Sequence, residues 1–204
     1  YLRHGYVPSP RTIDAGTAKL PPGTIARWRL GASPGTEPAR HAYWSLRAIA
    51  TQGIERPFTG SFEDATERLD QLIADSVALQ RVADVPLGAF LSGGVDSSTV
   101  VAAMQAAAGP TARTFAIGFT EDAYDESRYA HAVAEHLGTR HTELRVTPDE
   151  AREVIPGLPA MYDEPFGDAS AIPTHLVARL ARRDVTVALS GDGGDELFFG
   201  YTRY

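Results

Sequence analysis

From residue 61 onward the apolar positions fall into two alternating patterns, a helical period and short continuous runs. In "FEDATERLDQLIADSVALQRV", Phe62, Ala65, Leu69, Leu72, Ile73, Val77 and Leu79 recur at roughly helical spacing, which predicts an amphipathic helix. Ser61 stands where a cap is needed, and acids gather in the first turns, where the helix dipole favours them. After Pro86, "PLGAFLS" predicts a short buried strand and "DSSTVVAAMQAAAG" a helix stopped by Gly109-Pro110. "RTFAIGF" is a second strand, "DESRYAHAVAEHLG" a helix ended by Gly138, and "RHTELRV" a third strand. "TPDEAREVIPGL" opens a short helix with Thr147 as N-cap and Pro148 at its first position. "SAIPTHLVARLARR" is a helix again, and "VTVALS" is a very apolar strand entering a loop of glycines and acids. The alternation predicts an α/β fold, a parallel sheet with helices on both faces.

Residues 1–60 read differently. They are punctuated by Pro and Gly in "GYVPSPRT", "KLPPGT", "GASPGTEP" and "ERPFTG", with β-like pieces only at 24–29 and 41–46. This predicts an irregular, partly β tail followed by a linker. The start "YLRHGYVPSP" has neither an initiator Met nor the layout of a signal peptide, and it reads as an interior cut, as does the end "FFGYTRY". There is no internal repeat.

Composition narrows the function class. The 204 residues suffice for one sizeable domain, or one domain and part of another, and 43% hydrophobic with 22% charged residues is ordinary for a globular protein. A net charge of −7 argues against nucleic acid as a partner, since phosphate neutralisation needs clustered cations. The absence of Cys excludes a disulfide framework and a cysteine nucleophile or metal ligand in this chain. The apolar runs fall short of a membrane span, and the expected location is cytoplasmic. Of the 19 cationic residues, 18 are Arg and one is Lys, Lys19.

Two loops carry the candidate chemistry. In "FLSGGVDSS", Gly93 and Gly94 allow a tight turn that brings backbone N–H groups to an anion, while Ser92, Ser97 and Ser98 add hydroxyl donors and the following helix start adds partial positive charge. Asp96 would repel phosphate unless a hard cation such as Mg²⁺ lies between them. The stretch lacks the Lys of a P-loop and the third glycine of a dinucleotide fingerprint. It resembles the pyrophosphate-binding loop (PP-loop) of the ATP pyrophosphatases, which cleave ATP between its α- and β-phosphates. A plain strand-to-helix turn uses the same Gly for sharpness and the same Asp and Ser for capping. In "VALSGDGGDELFFGY", the strand end Ser190-Gly191 is followed by Asp192, Asp195 and Glu196, which suits a metal-and-substrate loop, with a solvated turn as the other reading. Placed on neighbouring strands, Asp96 and Asp195 would ligate one magnesium.

The stretches "FLSGGVDSS", "FAIGF", "YDESRYAHAVAEHLGTRH", "YDEPFGDASAIPTHLVARLA" and "VALSGDGGDELFFGY" together resemble the synthetase domain of glutamine-dependent asparagine synthetases, and "YLRHGYVPSPRTIDAGTAKLPPG" is similar to the end of that family's glutaminase domain. The resemblance implies a Rossmann-like sheet of the ATP pyrophosphatase (adenine nucleotide alpha-hydrolase-like) type. It implies three regions: 1–30, the end of a glutaminase domain; 31–60, a linker; and 61–204, part of an ATP-binding domain. It further implies a ligase that uses ATP to convert aspartate to β-aspartyl-AMP with release of pyrophosphate, then amidates it with glutamine-derived ammonia.

Carried over by position, Ser92, Gly93, Gly94, Asp96, Ser97 and Ser98 would hold pyrophosphate, and Asp96 and Asp195 would hold Mg²⁺. Leu91, Ile117 and Gly118 would flank adenosine by backbone and apolar contacts, and Ser190 and Gly191 would touch ATP. Asp192 would help deprotonate the ammonia; some relatives carry Glu there, one methylene longer. Asp163, Glu164, Asp168 and Glu196 are candidates for the substrate side, and the first three serve equally well as capping and turn residues. His131, His136 and His141, five residues apart, share no helical face and are read as packing or surface residues. The family's glutaminase Cys and a phosphate-stabilising Lys are missing, so the expectation is a fragment, inactive alone, whose partners are the glutaminase domain and the remaining synthetase region. A homodimer is compatible with this. Another amidotransferase, a β-lactam synthetase-like ligase acting on a different carboxylate, and a non-catalytic ATP-binding relative share these motifs.

Overall fold

The computed structural model describes residues 1–107, 111–121 and 125–201, so the expected stop at Gly109-Pro110 lies outside the described residues. The chain divides into two compact units, Tyr1–Ala65 with Pro159–Asp168, and Thr66–Leu158 with Ala169–Tyr204.

In the first unit, β1 (Thr24–Arg27) and β2 (Ala39–Ala42) pair antiparallel; β1 is shorter than the piece expected at 24–29, and β2 begins two residues before the piece expected at 41–46 and overlaps it only at His41 and Ala42. The region read as linker also contains a helix, α1 (Leu46–Glu55), which corrects the reading of that stretch as irregular. Ser45 caps it by accepting a hydrogen bond from the Ala48 N–H at 3.4 Å. None of its residues is buried, so α1 shows no core-facing stripe of the kind that marks the later helices. Ser61 does cap α2 (Phe62–Gln80), its Oγ accepting from Asp64 N–H while the Asp64 carboxylate accepts from Ser61 N–H. The apolar period of α2 is only partly used, because Val77 is buried and Ile73 packs beside it while Phe62, Leu72 and Leu79 stay exposed.

The second unit is built on four parallel strands in the order β5-β4-β3-β6: β3 (Leu87–Phe90), β4 (Arg113–Phe119), β5 (Arg140–Val146) and β6 (Val187–Leu189). Alternation along the strands sends successive side chains to opposite faces. Ala89, Leu91, Ala116 and Leu189 meet Val101 and Met104 of α3 (Val95–Ala106), Ala130 and Ala134 of α4 (Ser127–Leu137), and Val77. On the other face, Phe90 and Phe115 meet Val177, Leu180 and Ala181 of α7 (Ala171–Ala181), and Val146 and Ile117 meet Leu176 and Val154 of α5 (Pro148–Val154). A parallel sheet covered on both faces is thus what the alternating pattern predicted.

The helix ends behave as their residues dictate. Gly138 ends α4 in the left-handed region (φ +67°), and Thr147, Pro148 and Glu150 form a complete capping box on α5. A 3₁₀ turn and the short α6 (Leu158–Met161) follow α5. After β6, the Gly-rich stretch coils into a five-residue helix, α8 (Gly194–Phe198), rather than remaining a loop throughout. Among the described residues, no helix is long and apolar enough to cross a membrane.

Strands β3, β4 and β5 step in one direction across the sheet, and β6 lies on the opposite side of β3. The strand order therefore reverses at β3, and the crevice beyond the carboxyl ends of β3 and β6 is where such sheets bind ligands.

Candidate functional site at the β3 and β6 ends

The loop after β3 is shaped by backbone needs and tied by its serines. Gly93 has φ +81°, and a Cβ there would fall 2.6 Å from Ala130 N, so only glycine fits against the start of α4. Ser92 Oγ and Ser97 Oγ lie 3.0 Å apart, Ser92 N–H donates to Ser97 Oγ, and Gly94 N–H donates to Ser92 Oγ. No side chain caps α3, whose first N–H groups therefore remain open to an anion. Ser98 Oγ is buried without a hydrogen-bond partner among the described residues.

The loop after β6 docks onto this one through glycines. A Cβ on Gly191 would lie 2.6 Å from Ser97 N, and a Cβ on Gly194 would overlap the Asp96 carboxylate. The Asp195 carboxylate lies against Gly200 in the same way. Ser190 Oγ donates to Asp192 Oδ2 at 3.0 Å, and Tyr201 OH donates to Glu196 Oε1 at 2.9 Å. Between the two loops lies a cavity of about 420 Å³. Ser92, Gly94, Asp96 and Ser97 line it from one side, and Ser190, Gly191, Asp192, Asp195 and Glu196 from the other. The sequence reading had named all nine.

Residues 68–204 match the asparagine synthase family. The chain belongs to this family. A relative from Methanocaldococcus jannaschii is 39% identical over 202 residues, covering 98% of this chain and 37% of that protein. Asparagine synthetase [glutamine-hydrolyzing] 1 of Bacillus subtilis is 35% identical over 204 residues, covering 100% of this chain and 30% of the relative. Asparagine synthetase B of Escherichia coli is 32% identical over 151 residues, 65% of this chain and 26% of that protein. On the two relatives matched over nearly the whole chain, it spans 30 to 37% of their length.

Not every residue carried over from the asparagine synthase resemblance reaches the cavity. Leu91 is 1% exposed within the core, and Ile117 packs with the cluster of Val146, Val154 and Leu176, so their side chains serve packing and leave only backbone for a nucleotide. Gly118 is covered by Asp125 and Ser127, whose atoms would lie 2.7 to 2.8 Å from an added Cβ. The Asp125 carboxyl is held below its ordinary range by the Ser127 hydroxyl and N–H, with Arg145 adding to the effect. Six residues that the sequence reading did not single out also line the cavity: Phe90, Val95, Thr174, Val177, Gly193 and Tyr201. Thr174 and Val177 lie in the stretch "YDEPFGDASAIPTHLVARLA" that shares in the resemblance, but nothing in its pattern marks them as site residues, and the topology places them there.

The carboxylates around the cavity differ in how they are satisfied. Asp192 and Glu196 hold hydrogen bonds, whereas the side chains of Asp96 and Asp195 have no hydrogen-bond or ion-pair partner among the described residues. Among the described residues no Lys, Arg or His lines the cavity. An acidic, oxygen-only donor set of this kind fits a hard divalent cation. Among the described residues no group of three or more His, Asp or Glu could hold a metal by itself, so remaining ligands would come from phosphate oxygens and water.

Asp163, Glu164 and Asp168 fall in the first unit. There Glu164 is ion-paired with Lys19 and accepts from Ile13 N–H at 3.0 Å, while Lys19 Nζ also donates to Val7 O. The Lys19 ammonium, more than any other group, holds the Glu164 carboxyl below its ordinary value. With Asp163, these residues border a separate cavity of about 550 Å³. Asp168 is exposed. His141 is half-buried against Thr114 (Nδ1 to Oγ1 2.9 Å) and lies edge-on to His131; burial pushes its pKa down.

Proposed function

We propose that the chain carries the adenylating centre of a glutamine-hydrolysing asparagine synthetase. The observation that carries this reading is the interlock of the two loops at the point of strand reversal, with the Asp96 and Asp195 carboxylates unpartnered among the described residues beside a phosphate cradle. A carboxylate is a poor electrophile, and joining it to AMP supplies a good leaving group. In the first step an oxygen of the aspartate side-chain carboxylate attacks the α-phosphorus of ATP, the bond to the bridging oxygen breaks, and pyrophosphate leaves. Ser92, Ser97 and the open N–H groups of α3 take the charge that develops on the leaving group. Asp96 and Asp195 would hold Mg²⁺, which when bound neutralises phosphate charge. In the second step ammonia attacks the acyl carbon, AMP departs, and Asp192, oriented by Ser190, accepts the proton released.

On this reading residues 1–30 end a glutaminase domain that supplies the ammonia, 31–60 link it, and 61–204 belong to the synthetase domain. The test is release of AMP and pyrophosphate from ATP by the full-length protein on adding aspartate. Stimulation by a different carboxylic acid, with none by aspartate, moves the assignment to another ligase on this scaffold.

A further inference from the structure

We infer that Thr174 and Val177 of α7 form the acceptor wall of the cavity, the Thr174 hydroxyl binding a polar group of the acid to be activated and Val177 limiting its length. The inference rests on the adenylation reading above and names the residues that select its acceptor.

Three observations lead there. Thr174 and Val177 stand at i and i+3 on one face of α7, while Leu176, Leu180 and Ala181 anchor the helix in the core at 0%, 5% and 3% exposure. The two cavity-lining residues are therefore held by a fixed element. Secondly, a helical threonine usually returns its hydroxyl to the preceding turn, as Thr99 does on α3, where Oγ1 donates to Val95 O at 2.8 Å. The Thr174 hydroxyl makes no such bond and has no partner among the described residues, which leaves it free to serve a ligand. Thirdly, α3 packs on one face of the sheet and α7 on the other. Displacement at phosphorus runs in line, with nucleophile and leaving group on opposite sides. If pyrophosphate leaves toward the start of α3, the acceptor approaches from the α7 side.

Charge defines the class of acceptor. The charged side chains on the cavity wall, among the described residues, are all acids, and these repel a bare dicarboxylate. An amino acid brings its own ammonium for Asp192 or Glu196, and its α-carboxylate needs a neutral donor, which Thr174 provides. The chemistry fits an α-amino dicarboxylic acid.

The test measures pyrophosphate release by the full-length protein with ATP and aspartate varied separately. Thr174→Val, equal in shape but without the hydroxyl, is expected to raise KM for aspartate about tenfold or more while KM for ATP stays put, and Thr174→Ser should restore it. Val177→Ala should gain activity toward glutamate, one methylene longer. A parallel rise in KM for ATP, or failure of Thr174→Ser to restore the aspartate KM, overturns the inference. If the unaltered protein responds to another acid instead, the function assignment falls, and the same variants read with that acid decide the wall separately.

Discussion

Glu164 in the first unit and the pair Asp96 and Asp195 in the second are all acids in Gly-containing stretches, yet the protein treats them oppositely. Glu164 has its charge answered from within, by the Lys19 ammonium and the Ile13 N–H. Lys19 is the single Lys among 19 cationic residues, and it joins Glu164 to the Val7 carbonyl as a compact ammonium, a geometry that the planar fork of Arg does not reproduce. Asp96 and Asp195 have no such partner, although both border a cavity. An acid satisfied by its own chain is building structure, and one left unsatisfied at a cavity is waiting for a ligand.

The sharpest way to break that comparison is to remove an unsatisfied acid. Asp96→Ala or Asp195→Ala should lower aspartate-dependent pyrophosphate release at least about a hundredfold, the scale of losing metal-borne charge stabilisation. Neither should lower the melting temperature, because no partner among the described residues is orphaned. A clear drop in melting temperature without loss of release would reverse the roles assigned to the two classes of acid.

A smaller effect tests the interlock. Gly191→Ala puts a methyl 2.6 Å from Ser97 N and 2.9 Å from the Asp96 carbonyl carbon, so backbone must move. Overpacking of this kind costs about 1 to 3 kcal/mol, read as reduced stability in a denaturant titration, with weaker Mg-ATP binding by calorimetry. Wild-type binding in that variant would show that the two loops work independently.

How much of this was legible beforehand depended on whether the signal was contiguous. Strands β4 and β5 are continuous runs with a glycine or a capping threonine at their borders, and the expected ranges match the observed ones. The two loops were equally readable, since each gathers its glycines and acids within a dozen residues. Helix α1 was not, although Ser45 and the spacing of Leu46, Ile49, Ala50 and Ile54 hold a weak signal, because Pro and Gly on both sides dominate that region. Thr174 and Val177 sit in a helix whose period reads as core, and their cavity exists only once α7 is packed on the sheet. The structural work of Glu164 was hidden for a related reason, its partner lying far off along the chain.

The satisfied acid yields a test through pH. The Glu164 carboxyl is held below its ordinary 4.5, first by the hydrogen bond from Lys19 and then, against burial, by the Ile13 N–H and the Lys19 charge. A carboxylate lowered in the folded state adds stability above its unfolded pKa and loses it as the pH falls through the folded value. Lys19→Met should therefore melt earlier than the unaltered protein at pH 7, with the difference shrinking as the pH is taken below 4.5. A gap that persists undiminished in acid would assign Lys19 to packing rather than pairing.

The smallest effect is expected at α1, and it asks whether the first unit has parts that matter to neither class of acid. With none of its ten residues buried, α1 gains little from packing and depends on local terms such as its cap. The Ser45 hydroxyl accepts from Ala48 N–H at 3.4 Å, a long bond, so Ser45→Ala should cost about 0.5 to 1 kcal/mol, toward the low end for a cap. Amide hydrogen exchange should report that loss within residues 46–55, while pyrophosphate release and the pH profile of melting stay as they were. A cap loss confined in this way leaves the contrast between Glu164 and the cavity acids intact. A change in pyrophosphate release would instead tie α1 to the chemistry of the cavity.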